Sequence, residues 1–140
     1  MFGTNIRTGA WVAGALAATS LATAAVGQFS RGYSYASGKE IYEHICQGCH
    51  MPDAKGAQGA GAYPALAGDR NLSEPMYPAM VILTGQKAMP SFSELDDAQV
   101  DAVVNYVRGN FGNRFKGTLT IEQVKTLRAS AVHQDALAPG

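Results

Sequence analysis

The run Cys46-Gln47-Gly48-Cys49-His50 constrains this protein more than any other, because it holds the only 2 cysteines in 140 residues. On a helical turn, positions i, i+3 and i+4 lie on one face. Two sulfurs and an imidazole therefore converge on one side of a short element. A structural zinc site takes four protein ligands, and the sequence offers neither a second Cys-x-x-Cys nor a spaced His pair to complete one. A redox dithiol belongs in a βαβ setting, whereas the residues flanking this motif are helix-forming and Gly-rich.

The N-terminus bears on the compartment. Arg7 is the sole charge ahead of 10–27, an uncharged stretch rich in Ala, Val and Leu. Ala22 and Ala24 fit the A-x-A rule, which predicts a signal peptide over 1–24 and a mature start at Ala25. If retained, the stretch is close to the ~18 apolar residues that cross a bilayer and would anchor the protein. Its Ala, Thr and Ser content favours cleavage, and then no stable membrane insertion is expected. Either way the body is expected outside the cytoplasm, in the periplasm. In an exported protein, the C-x-x-C-H pattern reads as attachment of one haem c. Cys46 and Cys49 would form thioethers to the two vinyl groups, and His50 would lie under the iron as an axial ligand.

A second axial ligand is then required. The thioethers of Met51, Met76, Met80 and Met89 are the candidates after the signal segment. Met51 adjoins His50 and cannot reach the other side of the iron. Met76 and Met80 fall in the apolar run 76–83 and read as core. Met89 follows a helix stop at Gly85, and Pro90 pushes it into extended backbone, as suits a strap crossing a ligand. Between the two ligands, 55–68 is Gly-rich and ends in the apolar Tyr63-Pro64-Ala65-Leu66. Gly56, Gly59 and Gly61 read equally as a close backbone approach to a flat ligand or as a surface loop. Lys55, Arg70 and Lys87 are candidates to rim the haem edge, while His44 and His133 read as exposed.

Helices account for the rest. One is expected over 37–46, with a capping box from Ser37 to Glu40. A second is expected over 73–84, with Pro78 confined to its first turn. A third runs over 97–108, capped by Asp96 with Gln99, with Leu95 stapled to Val100. Its Val100, Val103, Val104 and Val107 follow i, i+3, i+4, i+7. A short last helix over 121–128 starts at Thr120, with Gln123 three residues on. No strand is needed, so the class is all-α. Eleven Lys and Arg balance eleven Asp and Glu, so no basic surface for nucleic acid is expected.

With these motifs in place, the stretch from Gly38 to Arg108 resembles class I (mitochondrial-type) cytochrome c. The resemblance implies short helices wrapped around one covalently bound haem, which serves as core for a domain otherwise short of one. It pairs Gly38 and Tyr42 on the N-terminal helix with Val103 and Tyr106 on the C-terminal one. It also makes Pro64 the residue whose carbonyl accepts a hydrogen bond from His50, fixing the imidazole. The implied organisation is a linker over 25–36, a cytochrome domain over 37–109 and a C-terminal extension over 110–140. Residues 77–114, with Phe111-Gly112-Asn113 and 120–128, are more narrowly similar to small cytochromes that accompany periplasmic dehydrogenases of flavin, quinone-cofactor or molybdenum type. That likeness implies a dehydrogenase as electron donor, an oxidase or another cytochrome as acceptor, and no catalytic residue. The extension after Gly109 is either a helix packed back on the domain or a docking element. A free diffusible carrier, a haem enzyme or gas sensor with an open axial position, and a thiol oxidoreductase are the competing readings.

Overall fold

The computed structural model describes residues 32–59 and 61–137, so the expected signal peptide over 1–24 lies outside the described residues. The first helix is entered through Ser37, whose hydroxyl accepts from the Glu40 N–H while the Glu40 carboxylate accepts from the Ser37 N–H, closing the expected capping box. Helix α1 (Gly38–Ile41) runs through a π-helical turn (Tyr42–Cys46) into α2 (Gln47–His50) without a break. The wider π turn is not signalled by the sequence. Helix α2 ends at Met51, a non-glycine residue at φ 68°. The Tyr42 hydroxyl donates to the Met51 carbonyl at 2.7 Å and holds that turn.

The loop that follows corrects the expectation that no strand is needed. Strands β1 (Ala57–Gln58) and β2 (Ala62–Tyr63) pair antiparallel, Ala57 opposite Tyr63. Gly56, at φ +66°, makes this possible, because a Cβ there would lie 2.1 Å from the Tyr63 carbonyl oxygen. Gly59 and Gly61 face open space, so of the three glycines only Gly56 is required for close approach.

A 3-10 turn (Arg70–Ser73) precedes α3 (Met76–Thr84), which therefore starts three residues later than expected. Pro78 lies in its first turn, where a missing N–H costs no helical bond. Helix α4 (Asp97–Gly109) carries both halves of the Asp96–Gln99 capping box. Its Val100, Val103, Val104 and Val107 are all buried, as is Leu95 ahead of it. Gly38 lets α1 cross α4 closely: a Cβ there would come within 2.1 Å of the Ala102 carbonyl oxygen and 2.7 Å of Tyr106 Cβ. Beside that crossing, Tyr42, Tyr106 and Phe111 form an aromatic cluster with centroids 4.6 to 6.0 Å apart.

Helix α5 (Ile121–Leu137) is longer than the short helix expected, and it packs back on the domain. Leu119, Val124 and Leu127 are buried in the same core as the α4 valines. Arg128 fixes it, donating to Asp97 at 2.7 Å, to the Leu95 carbonyl at 2.6 Å and to the Ser93 carbonyl at 2.9 Å. The connector before it is held by Asn105, which both donates to the Leu119 carbonyl and accepts from its N–H. No helix among the described residues is long and apolar enough to cross a membrane.

Candidate functional site

The end of α2, the loop after it, α3 with its trailing strap, and one face of α4 enclose a cavity of about 610 Å³. Cys46, Cys49, His50, Pro64 and Met89 all line it. Its apolar wall comes from Leu72, Ile82, Phe92, Val103, Val104 and Val107, among others. The amphipathic pattern of α4 thus serves two ends, since its buried stripe is also one side of the cavity. An apolar cleft with a few placed polar groups is the ordinary form of a cofactor site.

His50 is buried, and its Nδ1 lies 3.0 Å from the Pro64 carbonyl oxygen. A carbonyl can only accept, so Nδ1 is the donor in this contact and Nε2 is the ring nitrogen left to face a metal. The Pro64 carbonyl is carried by a strap tied on both sides. Downstream the Leu66 and Ala67 N–H groups donate to the Ala54 carbonyl at 2.8 and 2.9 Å, and upstream Tyr63 pairs with Ala57.

Met89 sits on a second strap. Its N–H and C=O both bond Gln86, at 2.9 and 3.0 Å, in a tight turn with Lys87 at φ 54°. Gly85, at φ +74°, allows the fold-back, since a Cβ there would lie 2.8 Å from the Met89 carbonyl oxygen. Beyond it the Ser91 hydroxyl donates to the Leu83 carbonyl at 2.6 Å and the Phe92 N–H to the Ile82 carbonyl at 2.8 Å. Among the described methionines Met89 alone lines the cavity; Met76 and Met80 are packed against the core.

Of the three cations expected at the rim, Lys87 borders the cavity and Lys55 and Arg70 do not. Lys55 instead pairs with Asp53 at 3.1 Å. His44 is solvent-exposed and stacks on Tyr35 at 4.5 Å. The tyrosines at the mouth, Tyr63 and Tyr77, are half-exposed. In the sequence Tyr63 stands out only as an apolar loop residue, and no local signal gives Tyr77 a place at the site.

The residues present fit a haem. Among the described residues no group of three or more His, Cys, Asp or Glu side chains could hold a metal ion by itself. One imidazole and one thioether would hold an iron here only with a macrocycle supplying its remaining nitrogens, and the apolar cavity offers space for one. Cys46 does not suit the part of an attacking thiol. Burial, with the neighbouring Cys49, pushes the Cys46 thiol up to about 12, whereas reactive cysteines have depressed values. No parallel strand pair of a βαβ unit occurs among the described residues.

Comparison with known proteins gives the same direction. Residues 34–107 match the family described as cytochrome C oxidase, cbb3-type, subunit III. The protein is 32% identical over 108 residues to the gluconate 2-dehydrogenase cytochrome c subunit of Pantoea cypripedii, an overlap of 66% of this sequence but 24% of that one. It is 34% identical over 85 residues to the cytochrome c subunit of 4-cresol dehydrogenase [hydroxylating] from Pseudomonas putida, an overlap of 59% of this sequence and 68% of that one. It is 32% identical over 117 residues to cytochrome c-552 of Thermus thermophilus, an overlap of 67% of this sequence and 86% of that one.

Proposed function

Because this protein belongs to the cytochrome c family, we propose that it is a periplasmic carrier that accepts single electrons from a dehydrogenase and passes them toward the respiratory chain. Membership brings one covalently attached haem c and an electron-transfer role rather than catalysis. When bound, the haem iron supplies a one-electron couple between ferric and ferrous forms. The rest is the work of the protein's own residues. Cys46 and Cys49 would hold the cofactor through thioethers, and His50 Nε2 and Met89 Sδ would be its axial ligands. The Pro64 carbonyl orients the imidazole and raises its basicity. The apolar wall from α3 and α4 excludes water, and a Met/His pair raises the reduction potential. With His50 and Met89 both holding it, the haem would be closed to substrates and would supply outer-sphere electron transfer.

The observation that carries this reading is the convergence of Cys46, Cys49, His50 and Met89 on one apolar cavity. The test is a haemochrome spectrum after acid-acetone extraction, which removes any haem that is not covalently held. Loss of the haem on extraction would refute attachment at Cys46 and Cys49. Ready binding of carbon monoxide by the reduced protein at neutral pH would refute Met89 ligation and favour a sensor or enzyme.

The donor rests on relatives named as dehydrogenase cytochrome subunits, the first of which is matched over only 24% of its length. Purification from the native periplasm decides it: a large flavin, quinone-cofactor or molybdenum enzyme should co-purify and reduce the cytochrome when given its substrate. A second reading has its own support, because the match spans 86% of a relative named simply as a cytochrome. On that reading it is a free diffusible carrier to a terminal oxidase, and no dehydrogenase co-purifies.

A further inference from the structure

Asn113 lies outside the cavity wall, yet it is bound to the strap that carries the Pro64 carbonyl. Its side chain is 3% exposed, and both ends of its amide are engaged. Nδ2 donates to the Leu66 carbonyl at 2.9 Å and to the Val107 carbonyl at 2.9 Å. Oδ1 accepts from the Gly68 N–H at 2.8 Å. One side chain thus ties the strap 66–68 to the C-terminal turn of α4, the longest helix in contact with the cavity. The connection spans more than 40 residues of sequence, since Gly68 and Asn113 are 45 apart.

The geometry matters because Pro64 cannot anchor itself. Proline has no N–H, so the plane of its peptide carbonyl is set by what holds the residues around it. Downstream, the Leu66 N–H is bound to Ala54, but Ala54 belongs to another loop and itself sits at φ 58°. Ala54 and Gly56 tie their loop to the end of α2; Asn113 is what fastens the strap itself, at Leu66 and Gly68, to α4. It also has the donor and acceptor set the site needs: aspartate would offer no donor to the two carbonyls, and leucine would offer nothing to any of the three groups. Phe111 at φ 56° and Gly112 at φ 82° turn the backbone so that Asn113 reaches inward.

We propose that Asn113 is a positioning residue for the haem-ligand imidazole, holding the strap so that the Pro64 carbonyl stays on His50 Nδ1–H. This rests on the assignment of His50 as an axial ligand. It gives the Phe111-Gly112-Asn113 segment a part in tuning the site.

The test follows the His50 ring N–H resonance in the reduced holoprotein during exchange into deuterium oxide. In Asn113→Leu, exchange should be roughly tenfold faster or more, the loss expected when a hydrogen-bonded anchor goes, with haem still covalently attached. Asn113→Asp, which keeps the volume and the acceptor for Gly68, is measured in parallel and should also exchange faster. The control is Asn110→Ala, which removes a bond from the same turn to the Tyr106 carbonyl without touching the strap, and should leave the His50 N–H at the wild-type rate. Wild-type exchange in either folded Asn113 variant would overturn the proposal. Equal acceleration in Asn110→Ala would do so too, because the effect would then be general loosening. Wild-type protein without covalent haem would instead overturn the reading of the site beneath it.

Discussion

At Met89 the backbone is fixed more firmly than at most loop residues, with its N–H and its carbonyl both bonded to Gln86 and its strap pinned by Ser91 and Phe92. On the proposed reading, a thioether held this way would need little reorganisation when the iron changes charge. Met89→Ala should therefore retain covalent haem but open the axial position, so that the reduced variant binds carbon monoxide where the wild type does not. Absorption spectra under carbon monoxide check this. His50→Ala should give no stable haem protein at all, and a red, folded His50→Ala product would refute the assignment of His50. Gly85 offers a subtler handle. An alanine there takes a backbone conformation that costs about 1–3 kcal/mol, and its Cβ meets the Met89 carbonyl oxygen at 2.8 Å. Gly85→Ala should lower the melting temperature and weaken Met89 ligation together, read as partial carbon monoxide binding.

Elements show which parts of the molecule a sequence can announce. The three helix starts at Ser37, Asp96 and Thr120 use reciprocal bonds between residues three apart, and such local chemistry is visible in the letters. So is the buried stripe of α4. The π turn over Tyr42–Cys46, by contrast, has no local signal. Gln99 is legible as a cap residue, but its second role is not: its amide also donates to the Tyr33 and Tyr35 carbonyls, at 2.6 and 2.7 Å. Arg108 is 2% exposed, and its guanidinium bonds four carbonyls, those of Leu72, Ser73, Lys116 and Gly117. Nothing beside it in the sequence announces this, because two of its partners lie 36 and 35 residues away. The Gly38 crossing lies between these cases, since its small residue is legible but its closeness to Ala102 needs the structure. Forcing a methyl into that contact costs about 1–3 kcal/mol by overpacking. Gly38→Ala should lower the unfolding free energy by that amount in a denaturant titration, with the visible spectrum of the surviving folded protein little changed.

For the whole molecule the governing quantity is the size of the cavity against the size of the domain. Buried side chains of α1, α3, α4 and α5 form one core, and the cavity of about 610 Å³ lies against it. A macrocycle seated in that space would be covered by the apolar wall, Ile82 and Phe92 among it, and each Å² of apolar surface it removes from water contributes about 25 cal/mol. Burial of that kind counts for much in a domain whose whole stability is roughly 5–15 kcal/mol. The haem is therefore expected to be a structural requirement as well as the redox centre. A Cys46→Ser, Cys49→Ser double variant, expressed to the same compartment, should lose the visible absorption and also its cooperative thermal transition, with near-ultraviolet dichroism collapsed and only part of the helical far-ultraviolet signal kept. Helices α4 and α5 are the ones expected to persist, because each is capped by residues adjacent in sequence and they share contacts with each other away from the cavity. A haem-free double variant with a sharp melting transition and native near-ultraviolet dichroism would show that the protein core closes without the cofactor.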